Sequence, residues 1–188
     1  MAGWLDVSRE TEDGLPTMLV QAVVIAAAMC VCELVSAPIY VTMSGDAFNI
    51  LPWFLVASLF AVAFTCTVGF ILLWVVESLT ARHSLPKLLP FVYALAGLIG
   101  FAAWGYAVYP AVIDSIVVPV GGTALAAGAK LGIGVNCAAA GFVSFFFGAI
   151  LTPRIAGRRA AVIAAGVAAL AIAALGGVVF AMTMSTLS

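Results

Sequence analysis

The chain has 188 residues, of which 65% are hydrophobic and 8% charged, and a net charge of −1; soluble domains carry about 25% charged residues. That composition excludes a water-soluble fold, and the lack of any basic or acidic block excludes a nucleic-acid surface and an acidic partner. What remains is an all-α integral membrane protein, a bundle of transmembrane helices whose first partner is the lipid bilayer.

Residues 1–15 are polar, with Asp6, Arg9, Glu10, Glu12 and Asp13. They are expected to be a cytoplasmic N-terminal segment, either frayed or turned onto the membrane surface around Trp4 and Leu5. They lack the cationic start and short apolar core of a signal peptide, so the first span is expected to be retained. The rest, residues 16–188, reads as a single transmembrane helical domain of five spans.

The first span, about 16–40, opens on Pro16 and carries Glu33 as its one charge. Pro38 frees a backbone carbonyl near Leu34. The second span, about 52–79, ends with Glu77 close to Arg82. Arg82, His83 and Lys87 then form a basic loop between helix-breaking prolines. The third, about 90–109, is uncharged, and Trp104, Tyr106 and Tyr109 read as an aromatic belt at a membrane surface. Residues 110–123 form the longest connection and either lie in the interface, the favoured reading, or dip into the bundle as a re-entrant segment. Gly121-Gly122 reads as a turn. The fourth span, about 124–151, holds Lys130, Asn136 and Cys137, and Arg154, Arg158 and Arg159 follow in a second basic loop. The fifth runs over about 160–184.

Basic residues thus follow spans two and four, whereas the other two loops carry Asp46 and Asp114. The positive-inside rule then predicts a cytoplasmic N-terminus and an outside C-terminus; the expected location is the cell membrane, bacterial inner or plasma.

A charge within a span costs about 2.5–3.5 kcal/mol on insertion scales. Glu33 and Lys130, at matched depths by span position, are therefore expected to face each other. The pair reads either as an ion or substrate site on a pathway that includes Asn136, or as a tie between helices with Lys130 snorkelling. Cys30, Cys66 and Cys137 fall near one depth, where three thiols would suit a soft metal, although buried cysteines also pack as small hydrophobes. Gly128, Gly132, Ser144 and Gly148, with Ala161, Ala165, Ala169 and Ala173, recur at four-residue spacing and predict close helix packing. His83 stands alone in a loop, so paired imidazole ligation of haem is not available, and no catalytic motif appears. The expectation is a non-enzyme with no cofactor.

Two functions fit: a transporter, or the membrane component of a transport complex, moving an ion or small solute; or a structural or assembly subunit of a larger membrane complex with no transport of its own. Either would work as a homo-oligomer or with other membrane subunits.

Overall fold

The computed structural model describes residues 15–43, 49–80 and 88–187. Residues 1–14, Asp46 and the first basic loop with Arg82, His83 and Lys87 lie outside them. Among the described residues the architecture is all-helical, with five helices long and apolar enough to cross a membrane. These are α1 (Thr17–Met43), α2 (Ile50–Thr80), α3 (Leu89–Val117), α4 (Ala127–Ile155) and α5 (Arg159–Leu187). Thr17, Thr80, Leu89, Ile155 and Arg159 share the first end of the bundle; Met43, Ile50, Val117, Ala127 and Leu187 share the second.

α1 is central. It packs on α4, α2 and α5, while α3 packs most extensively on α4, and α2 on α5. Outward positions stay apolar, as with Val35 at 74% exposure and Val135 at 63%, which suits lipid, where water cannot solvate polar groups. Hydroxyls near the exterior are returned to the helix itself: Thr67 donates to the Ala63 carbonyl and Ser78 to that of Trp74, each at 2.7 Å.

The α3–α4 contact follows from a four-residue stripe on α3, Tyr93-Gly97-Phe101-Gly105-Tyr109-Ile113-Val117, every member of which is buried. Its glycines let α4 approach. A Cβ on Gly97 would lie 2.5 Å from the Phe145 ring and 2.6 Å from the Gly141 carbonyl oxygen, and one on Gly105 would meet Cys137. Its aromatic residues reach past that contact to α1 and α2. Gly176 of α5 sits as closely beneath the Leu55 carbonyl of α2.

The packing residues expected from sequence divide. Gly148 meets Ile25 of α1, and Ser144 is fully buried facing Cys32. Gly128 has nothing within 4 Å of a would-be Cβ, and Gly132 meets only the flexible tip of Met43. These two are therefore not at a tight helix contact: at Gly128 the added atom would point into open space, and at Gly132 towards a side-chain tip rather than a backbone. On α5, Ala169 and Ala173 pack, but Ala161 is exposed and Ala165 half-buried.

Two backbone features shape the central region. α2 contains one π-helical turn, Thr65–Gly69, a local widening often found near functional positions. α3 continues through Pro110 to Val117, so the expected connection after Tyr109 begins as helix rather than as an interfacial or re-entrant segment. Proline is tolerated there because packed neighbours offset the lost backbone bond. The helix then stops at Gly121, whose φ of +86° lies in the left-handed region. Gly121 N–H donates to the Val118 carbonyl and Gly122 N–H to that of Val117, a glycine C-cap that closes the expected turn.

Candidate functional site

Along α1, Gln21, Ile25, Met29 and Glu33 recur every four residues, then Ser36, Ala37 and Tyr40, so one face looks into the bundle. Glu33 lies on it with 0% exposure. The Tyr109 hydroxyl of α3 donates to Glu33 Oε1 at 2.9 Å and also lies 3.1 Å from the Ala57 carbonyl oxygen of α2. Glu33 Oε2 has no hydrogen-bond partner among the described residues. Aromatic rings close the surroundings: Tyr40 stacks on Tyr109 with centroids 5.6 Å apart, and Phe101 meets Tyr109 edge-on at 6.1 Å.

A second polar group sits beside the first. Asn136 Nδ2 donates to the Tyr40 hydroxyl at 2.8 Å, and Ser36 donates to Asn136 Oδ1 at 3.4 Å. The Tyr40 hydroxyl also meets the Cys137 thiol at 3.4 Å. Asn136 therefore meets the Glu33–Tyr109 cluster through Tyr40.

Lys130 does not. Its ammonium donates to Asp114 Oδ2 at 3.0 Å, and both residues are partly exposed. The expected Glu33–Lys130 pair is thus replaced by Lys130–Asp114, and the reason is depth. At ~1.5 Å rise per residue, Glu33 is roughly 5 Å from the middle of α1, whereas Lys130 is roughly 16 Å from the middle of α4. The continuation of α3 past Pro110 brings Asp114 to Lys130. Asp114 also accepts from the Leu125 N–H at 2.7 Å, holding the α3–α4 turn.

Besides a crevice of about 230 Å³ against α5 at Cys30, Val31 and Leu34, three cavities bear on this region. One of about 580 Å³ opens at the second end among Met43, Ile113, Val117 and the turn at Gly121-Gly122. One of about 260 Å³ opens at the first end and includes Gln21, Glu77, Tyr93 and Thr152. A lateral crevice of about 230 Å³ between α1 and α4 exposes Cys32, Ser36 and Asn136. Along α1 the order is Gln21, Met29, Glu33, Tyr40, Met43, and along α3 it is Tyr93, Phe101, Tyr109, Ile113. Glu33 and Tyr109 therefore lie between the two end cavities. Ile25, Met29, Phe64, Phe101 and Phe145, each under 2% exposed, seal the first-end side. Tyr40 and Trp53 seal the other.

The thiol site is corrected: among the described residues no group of three His, Cys, Asp or Glu side chains is placed to hold a metal ion. Cys30 packs towards Ala169 and Ala173 of α5, Cys66 is exposed on the π-helical turn, and Cys137 lies under Tyr40. The aromatic belt is corrected too. Tyr109 is a core residue at 1% exposure and Trp104 packs on Phe64, while Tyr106 alone faces outwards at 55%.

Tyr109, Tyr40 and Asp114 are the polar residues that sequence reasoning missed. The four-residue stripe through Gly97, Phe101 and Gly105 was the available signal for Tyr109. Comparison with family models, with curated proteins and with solved structures finds no match.

Proposed function

We propose that the chain is a multi-pass membrane transport protein, or the membrane component of a transport complex, in which α1, α3 and α4 frame a path for an ion or small solute. Glu33 is the internal station of that path and Tyr109 its positioning partner. The observation that carries the reading is Glu33 itself: 0% exposed and held by one tyrosine hydroxyl, with, among the described residues, an unpartnered oxygen and no cation within salt-bridge distance. Buried ionisable groups in membrane helices are costly and mark substrate paths and proton relays. Cavities at both ends, with Glu33 between them behind buried side chains that include Phe64, Phe101 and Phe145 on one side and Tyr40 and Trp53 on the other, support the same reading. The basic loops orient the first end towards the cytoplasm.

The second reading, an assembly subunit without transport, draws on α5. Its exposed Val167, Leu170, Leu175 and Val178 offer a broad apolar face to lipid or to a neighbouring subunit.

Native mass measurement of the full chain, combined with thermal unfolding against a panel of ions and small solutes, separates the two. Transport predicts a monomer or homo-oligomer whose melting temperature rises with a particular solute in wild type but not in Glu33→Gln. Tightly bound subunits of different sequence, with no solute response, would favour the assembly reading.

A further inference from the structure

The transport reading leaves open which cation Glu33 takes up, and the atoms around it decide between a metal ion and a proton. A hard metal cation such as Ca²⁺ or Mg²⁺ needs about six or more oxygen ligands. Glu33 has its own two oxygens, the Tyr109 hydroxyl and, through that hydroxyl, the Ala57 carbonyl. That set is too small to replace a hydration shell. Glu33 also lines none of the cavities described above, so waters from them do not complete it.

A proton fits the same atoms. The Tyr109 hydroxyl has a single hydrogen but lies within bonding distance of two acceptors, Glu33 Oε1 at 2.9 Å and the Ala57 carbonyl oxygen at 3.1 Å. With an ionised carboxylate, one of those contacts lacks a hydrogen. With a proton on Oε1, the carboxyl donates to Tyr109, Tyr109 donates to Ala57, and both contacts are made. Oε2 is then the carbonyl oxygen, a weaker acceptor whose lack of a partner costs less than that of a buried charge.

We infer that Glu33 is a proton-carrying carboxyl and that the cation coupled to, or moved by, this protein is a proton and not a metal ion. This rests on the transport reading. Loading adds one proton to Glu33 Oε1 and release removes it; no other bond changes. The titratable groups facing it are Cys30, Cys32 and Tyr40 of α1, Tyr109 of α3 and Cys137 of α4. α2 contributes Cys66 and Glu77, both remote from the site, and α5 carries no titratable side chain along its length beyond Arg159. No Lys or Arg in the described residues stands near enough to hold the carboxylate ionised.

The test is infrared difference spectroscopy of the full chain in lipid vesicles, wild type minus Glu33→Gln, with Tyr109→Phe as a second variant. The expected result is a protonated-carboxyl C=O band at neutral pH that shifts in heavy water and moves in Tyr109→Phe. It should be lost as pH is raised, and sodium, potassium, magnesium or calcium should not change it. Dicyclohexylcarbodiimide, which attacks protonated carboxyls in apolar surroundings, should add its mass at Glu33 and not in Glu33→Gln. A carboxylate signature at neutral pH, or a band abolished by one of those metal ions, would overturn the proton assignment while leaving solute-dependent stabilisation, and so the transport reading, standing. A C=O band that no pH removes would mean a permanent structural proton, and would overturn it as well. Loss of solute-dependent stabilisation with the proton band intact would instead sink the transport reading.

Discussion

Replacing Tyr109 by Phe removes the one hydroxyl that holds Glu33 and leaves both carboxyl oxygens without a partner. Hydrogen bonds between membrane helices average about 0.6 kcal/mol, with a maximum near 1.7, because the unfolded chain in lipid also finds partners. Orphaning a buried polar group costs about 1–3 kcal/mol. At 0% exposure no water can take over, so the upper part of the first range governs, and Tyr109→Phe should cost about 1–2 kcal/mol, a factor of about 5 to 30 in the folded ratio. Glu33→Met, of similar volume, should cost less, since Tyr109 keeps its contact with the Ala57 carbonyl. In the Tyr109→Phe background, Glu33→Met should restore stability to within about 0.5 kcal/mol of wild type, because removing both partners is nearly neutral. Reversible unfolding in mixed micelles supplies the cycle. Additive effects, or Glu33→Met costing more than Tyr109→Phe, would refute the reasoning.

Gly141→Ala should destabilise by about 1–3 kcal/mol by forcing α3 and α4 apart, since its Cβ would meet the Gly97 carbonyl and lie 2.7 Å from Phe101 Cβ. Gly128→Ala, into open space, should stay within about 0.5 kcal/mol of wild type; equal losses in thermal unfolding would show that the α3–α4 approach is not the tight one. Asp114→Asn and Lys130→Met should each cost under about 1 kcal/mol, as befits a half-exposed pair, and Asp114→Ala more, because it also frees the Leu125 N–H. Lys130→Met should have the same effect with or without Glu33→Gln, and coupling between them would restore the pairing of those two residues. A cysteine at Asp46 should react with an impermeant thiol reagent from outside and one at His83 should not; the reverse pattern would invert the topology.

The five apolar stretches were legible because a span of this length needs little more than hydropathy to declare itself. Glu33 and Asn136 stood out for the same reason, being polar where polarity is costly. The partners did not. Pro110 reads as a breaker in water-soluble helices, so the sequence alone ends α3 at Tyr109, whereas the helix runs on to Val117. The shorter helix puts Tyr109 at an end and Asp114 in a loop, when the one is at the core and the other in the last turn. Hydropathy alone sets Lys130 too deep, because the expected span begins three residues before the helix does and ends four residues short of its far end. Small residues marked helix approach correctly at Gly148 and wrongly at Gly128, since spacing alone does not say which face meets a neighbour. Gly97 and Gly105 take their meaning from the four-residue stripe they share with Phe101 and Tyr109.

The central claim, that a path reaches Glu33 from water, is tested most directly by cysteine accessibility one helical turn to either side of it. In a cysteine-free background, Met29→Cys and Ala37→Cys, both at positions with 0% exposure, are treated in vesicles with a small charged thiol reagent. Gln21→Cys in the first-end cavity is the positive control, and Ala173→Cys in the α5 packing face the negative one. The account predicts that Met29→Cys and Ala37→Cys react, slowly and from opposite sides, as the buried side chains on either side of Glu33 open in turn. If both stay inert while Gln21→Cys reacts, Glu33 is sealed within a static bundle and the path does not exist.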